Sequence, residues 1–138
     1  MNKGQVSKIG GLFLLLVLCA ALRSAIGQQT APTESKCVTV KQLSSVDLGP
    51  EIEGLMGRQL RMRMITIAPG GFLGIHNHKD RPGTAYVLHG KIINHESDMA
   101  KEYSEGDSWS ENKETVHWLD NKGTAPAILI AADIFKQP

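Results

Sequence analysis

Residues 70–90 read Gly70-Gly71-Phe72-Leu73-Gly74-Ile75-His76-Asn77-His78-Lys79-Asp80-Arg81-Pro82-Gly83-Thr84-Ala85-Tyr86-Val87-Leu88-His89-Gly90. Two short β-prone runs, 72–78 and 84–89, flank Asp80-Arg81-Pro82-Gly83, which is a turn signature. Gly90 marks a tight connection, and Lys91 to His95 continue as a further strand beyond it. On a strand, residues i and i+2 share a face, so His76 and His78 present two imidazoles in one direction. Such a pair is a bidentate grip for a metal ion. The competing reading of His-x-His is decoration on an exposed strand.

The chain on either side carries the same short period. From Arg58 to Ala68, Leu60, Met62 and Met64 alternate with Arg61 and Arg63, the period of two of a half-buried strand. The three apolar residues are expected in the core or on a dimer face. The apolar parity then passes to Ile65 and Ile67, which predicts a bulge or a second buried face. Pro69-Gly70-Gly71 is expected to separate this strand from the next. Downstream, 97–106 is polar and expected to hold a turn of helix. Thr115 to Leu119 reads as a strand, Asp120 to Gly123 as a loop, and Pro126 to Phe135 as a fully buried strand. Upstream, Cys37 to Val40 is β-prone, while Gly49-Pro50, Gly54 and Gly57 exclude a long helix over 44–57. No window shows ten residues of helical period. Seven to nine short strands in one all-β domain, a sandwich or a small antiparallel barrel, are therefore expected.

Composition agrees and narrows the function classes. The chain has 138 residues and a formal charge of +1 without a basic run, so no nucleic-acid partner is expected. Aromatic residues make up 5%, which requires an aliphatic core. Two cysteines cannot build a disulfide scaffold.

Residues 1–27 have the layout of a secretory signal peptide: Lys3 and Lys8, the apolar run Leu12 to Leu22, then the small residues Ala25 and Gly27. The run is shorter than the ~20 residues that span a bilayer, so cleavage after Gly27 and no stable membrane insertion thereafter are expected. The protein is expected to be secreted or periplasmic, with 28–36 a flexible leader and 37–138 a single domain. Cleavage removes Cys19 and leaves Cys37 as the sole thiol, expected as a small buried hydrophobe.

The third imidazole is His117, on a later strand between Val116 and Trp118, where an antiparallel neighbour can bring it opposite the pair. It reads equally as a satisfied core histidine. Three imidazoles leave positions open for water or substrate, as in a catalytic metal site. His89 and His95 flank the Gly90 connection and are expected at a solvated rim.

These residues carry a resemblance. Gly70, His76, His78, Gly83 and Gly90 are spaced like the first motif of the cupin superfamily, G-x5-H-x-H-x3,4-E-x6-G. Gly106, His117 and Asn121 resemble the second, G-x5-P-x-G-x2-H-x3-N, and Tyr86-Val87-Leu88-His89-Gly90 resembles the strand that leaves the first. The resemblance implies a small antiparallel β-barrel, the jelly-roll-like double-stranded β-helix, with a divalent first-row transition metal (iron, zinc, manganese, nickel or copper) held by His76, His78 and His117. The departures are specific. Gly83 stands where the family has a glutamate ligand, and Asn112 and Glu114 replace the proline and glycine of the second motif. Three histidines alone serve some members, thiol dioxygenases among them. Asp80, Glu111 and Glu114 are the acids near enough in sequence to substitute, and each reads first as a surface acid in a turn.

Arg81 has a planar fork that can clamp a substrate carboxylate, against a plain reading as a solvated turn residue. Tyr86, on the strand leaving the first motif, is the second candidate for substrate contact. Trp118 has the opposite parity to His117 and is expected to pack outward, at a contact between copies of the chain in a homodimer. The expected function is that of an exported metal-binding protein acting on a small organic molecule, as a dioxygenase, an isomerase or a related metalloenzyme. The alternative is a non-enzymatic binder of a small ligand, with or without metal.

Overall fold

A computed structural model describes residues 30–136. The expected signal peptide and its cleavage point at Gly27 lie outside the described residues. Eight strands follow in order: β1 (Lys36–Asp47), β2 (Arg58–Asn77), β3 (Gly83–His89), β4 (Lys91–Glu96), β5 (Met99–Ser104), β6 (Ser108–Glu111), β7 (Val116–Asp120) and β8 (Ala127–Lys136). Every pairing is antiparallel. The strand order is β5-β4-β7-β2-β8-β3-β6, with β1 on β2, which makes a nearly closed β-barrel. The all-β expectation holds. Among the described residues no helix is long and apolar enough to cross a membrane. The polar stretch expected to hold a helical turn is the strand β5 instead, because its residues pair with β4 from Lys91↔Ser104 to Glu96↔Met99.

The strand β2 makes the closure. Its first half pairs with β8 from Arg58↔Lys136 to Ile67↔Ala127, and its second half pairs with β7 from Phe72↔Asp120 to Asn77↔Val116. Pro69-Gly70-Gly71 bends this one strand from sheet to sheet and does not end it. Glycine is required at the bend: Gly70 has φ +71°, and a Cβ on Gly71 would lie 2.7 Å from the Lys36 carbonyl oxygen. Asn121 ties the bend down. Its backbone N–H donates to the Gly71 carbonyl and its carbonyl accepts from the Gly70 N–H, while its buried side-chain amide donates to the carbonyls of Ile67 and Ala125.

The parity change expected after Met64 is absent from the backbone. The β2–β8 register is continuous from Arg58 to Ile67, so Arg61, Arg63, Ile65 and Ile67 all point the same way, into the barrel. Leu60 and Met62 point outward and are exposed. What changes along the inner face is its chemistry. Ile65 and Ile67 join Ala85, Val87, Leu119 and Leu129 in the aliphatic core, which closes one end of the barrel. The arginines line the other end, where water and counter-charges can reach them. Of the stretch expected as a leader, residues 30–36 are described, and they lie along β2. The Pro32 carbonyl accepts from the Ile75 N–H, and the Ser35 hydroxyl accepts from the Gly74 N–H. Cys37 is exposed, not buried, and has φ 54°.

Candidate metal centre

The register of β2 on β7 places His76 directly opposite His117. His78, two residues on, shares its face. One nitrogen from each ring lies within 4.8 Å of the others. The Nε2 atoms of His78 and His117 are 3.0 Å apart, and those of His117 and His76 are 3.1 Å apart. Ring nitrogens this close can be shared by a single cation with metal–nitrogen bonds of ~2.1 Å.

The proton positions decide what this cluster can hold. His76 Nδ1 lies 2.9 Å from the Gly74 carbonyl oxygen, His78 Nδ1 3.2 Å from that of Arg81, and His117 Nδ1 2.9 Å from the Asn94 side-chain oxygen. Each of these partners only accepts, so each Nδ1 carries the proton and donates it. Three bare Nε2 lone pairs are then aimed at one another with no proton between them. A shared cation satisfies all three at once. Outer hydrogen bonds of this kind orient metal-ligating histidines. Three histidines at this distance in this fold are compatible with a transition metal.

The imidazoles are held neutral. Burial is the first cause in each: it lowers His76, takes His78 down to about 4, and takes His117 down to about 3, where the neighbouring His76 and His78 add to it. His89 is exposed beside Glu105. His95 is not a solvated rim residue: its ring stacks on Trp118 at 3.7 Å, and Trp118 is buried under it although it points away from the barrel interior.

Glu111 is not a surface acid. It is 7% exposed, with one oxygen 3.3 Å from His78 Nδ1 and the other accepting from the Trp109 indole N–H at 3.1 Å. That second oxygen is also 3.6 Å from His117 Nε2. Burial raises the Glu111 carboxyl above its usual range. Asp80 and Glu114 are exposed and stand apart from the cluster. Gly83 is a strand residue of β3, outside the left-handed region; in the turn before it, Asp80 takes the positive φ, at 60°.

A cavity of about 290 Å³ opens over the three histidines. Arg81 lines it, as does Arg63. Tyr86 does not: Ala85 and Val87 turn inward on β3, so Tyr86 points to solvent and is 43% exposed. Sequence reading missed Asn94 and the pair Arg63–Asp133. Asn94 had a signal, a polar residue on the inward parity of β4 next to Ile92. Arg63 had none, since an arginine alternating with apolar residues reads as the solvent side of a strand.

The family profile described as "Cupin domain" matches residues 63–133. The structure of KdgF from a Halomonas species superposes with a TM-score of 0.60 at 13% identity, over 75% of this chain and 87% of that one. A predicted oxalate decarboxylase from Thermotoga maritima gives 0.58 at 17% identity, over 78% and 96%. The cupin domain of an XRE-family transcriptional regulator from Enterobacter cloacae gives 0.56 at 14% identity, over 74% and 100%. No curated protein matches the sequence. At these identities the solved structures establish the fold, and their differing names show that the fold leaves the chemistry open. With its family profile matched over half its length and both histidine motifs meeting at one point inside the barrel, the chain belongs to the cupin family.

Proposed function

We propose that the protein binds one divalent first-row transition metal through Nε2 of His76, His78 and His117, and acts as a metalloenzyme on a small organic molecule held in the adjoining cavity. The observation that carries this reading is the convergence of three Nε2 atoms whose Nδ1 protons are all donated elsewhere. A metal in a three-histidine site supplies Lewis-acid or redox chemistry and keeps positions open for a ligand. The chain's own residues set the conditions. Burial keeps the rings neutral, Asn94 fixes the orientation of His117, and Glu111 sets a carboxylate against His78.

The competing reading is a non-enzymatic binder. One observation favours it: Glu111, the one carboxylate among the residues lining the cavity, already accepts from the Trp109 indole N–H and lies against His78 and His117, so it is engaged at the wall and not free as a base. Elemental analysis of the full chain, followed by competition with a chelator for wild type and for His76→Ala, tests the metal. Stoichiometric metal that is lost in the variant supports the centre, and an equal content in both overturns it. Turnover that appears only with metal bound separates the enzyme from the binder. The protein is also proposed to be exported through residues 1–27; N-terminal sequencing of exported material should start at Gln28, and a membrane-bound chain beginning at Met1 would sink that proposal.

A further inference from the structure

One wall of the cavity holds more positive charge than its own acids neutralise. Asp133 on β8 is 2% exposed and carries three guanidinium groups. Arg61 meets it through two parallel bonds, Nε to Oδ1 and Nη2 to Oδ2, each 3.0 Å. Arg63 gives it one bond, Nη2 to Oδ2 at 2.8 Å, and Arg81 Nη1 stands 3.5 Å from the same oxygen. Even with Glu111 ionised, these three cations face two carboxylates, and a divalent ion on the histidines widens the excess. Charge that is partly withdrawn from water and short of counter-charge favours an anion, so the site is built for one.

The three arginines are not equivalent. Arg61 is fully used: its fork is closed on Asp133 and its plane lies 4.0 Å from the centre of the Phe135 ring. Arg63 and Arg81 line the cavity, and Arg61 does not. The Arg63 Nε is buried and has no hydrogen-bond partner. Arg81 is locked to the histidines by its own turn: its N–H donates to the His78 carbonyl at 3.0 Å, and its carbonyl accepts from His78 Nδ1. The lining also holds an aliphatic wall, from Ile65, Leu73, Leu119 and Leu129. An inorganic anion would leave that wall unfilled, whereas a small organic acid covers both.

We infer that Arg63 and Arg81 form a carboxylate seat, so that the ligand of this cavity is a small carboxylic acid held with its anionic group on the two guanidinium groups and its carbon skeleton against the aliphatic wall. This rests on the cavity being the ligand site and names the class of molecule it takes; it does not depend on the metal. The acid head sits beside the turn that carries His78, so the rest of the molecule extends over the three histidines.

The test uses butyrate, its neutral isostere butyramide, and inorganic phosphate, titrated into the full chain and followed by ligand-observed NMR, with and without cobalt(II). Butyrate is expected to bind at least about tenfold tighter than butyramide, and Arg63→Gln and Arg81→Gln are each expected to weaken it about tenfold. Either variant alone decides the matter if the other fails to fold, and thermal melting identifies the folded one. Equal binding of butyrate and butyramide, or butyrate binding unchanged in the folded variants, overturns the seat. Phosphate displacing butyrate at lower concentration than butyrate itself requires overturns the assignment to carboxylic acids. The cobalt(II) arm keeps the two readings apart. Butyrate binding to a chain that takes no cobalt fails the metal centre and leaves the seat standing; cobalt binding without butyrate binding does the reverse.

Discussion

Gly83 and Glu111 are direct cross-strand partners on β3 and β6. Gly83 stands where the first cupin motif has its glutamate, and the residue beside it in the sheet supplies a buried carboxylate to the same corner. The row extends further: Arg61 pairs with Asp133, Asp133 with Gly83, and Gly83 with Glu111. Side chains on one row of a sheet compete for the same space. A Cβ on Gly83 would lie 3.1 Å from the Asp133 Cβ and 3.3 Å from a Glu111 oxygen, so the glycine is what lets two acids share the row.

Restoring the family residue should therefore fail. A Cβ at position 83 meets the Ala132 backbone oxygen at 2.8 Å, and backbone cannot step aside cheaply. Gly83→Ala should cost roughly 1–3 kcal/mol in urea unfolding. Gly83→Glu should cost more and should weaken metal binding by displacing Glu111. Tighter metal binding by a stably folded Gly83→Glu protein would contradict this arrangement.

Glu111→Gln keeps an acceptor for the Trp109 N–H and removes the charge. Metal affinity in chelator competition should drop about tenfold or more, as for other groups that orient metal ligands, with little change in melting temperature. An affinity equal to wild type would show that Glu111 only packs.

Asn94 orients His117 from the far side. Asn94→Ala should lower metal affinity about 10–100-fold, and Asn94→Asp, which restores an acceptor for the Nδ1 proton, should recover most of it. Equal loss in both variants would place the effect in packing rather than in the hydrogen bond.

Acid should unfold the metal-free chain early. Burial holds His76, His78 and His117 below their unfolded value of ~6.5, His78 at about 4 and His117 at about 3. Between these values the unfolded chain binds more protons, so this stability is complete above the unfolded pKa and is lost as pH falls through the interval. Glu111, raised by burial, acts in the opposite sense, but it is one group against three. The urea midpoint should fall steadily from about pH 7 to about pH 5. A flat or rising midpoint over that range would contradict the buried neutral cluster.

Asp133 is the counter-charge of the arginine wall. Asp133→Asn leaves three guanidinium groups facing a neutral amide and should cost about 3 kcal/mol or more in urea unfolding. A loss below about 1 kcal/mol, as for a surface ion pair, would show that water already neutralises the wall.

Much of this protein is legible in the chain itself. The period of two is local, so strands follow from it, and the same period places His76 and His78 on one face wherever the strand lies. Spacing to His117 and Asn121 then identifies the family. Other features depend on which strands become neighbours. Alternation shows that Arg61 and Arg63 share a face but not that this face is the inner one, because an arginine is tolerated inside only where a distant acid meets it, and Asp133 is 70 residues from Arg63. The place of Glu111 is likewise set by the β3–β6 register, which a run of four residues, Ser108–Glu111, does not encode. Local periodicity decided the strands and the histidine pair; sheet register, a long-range property, decided which charges face them.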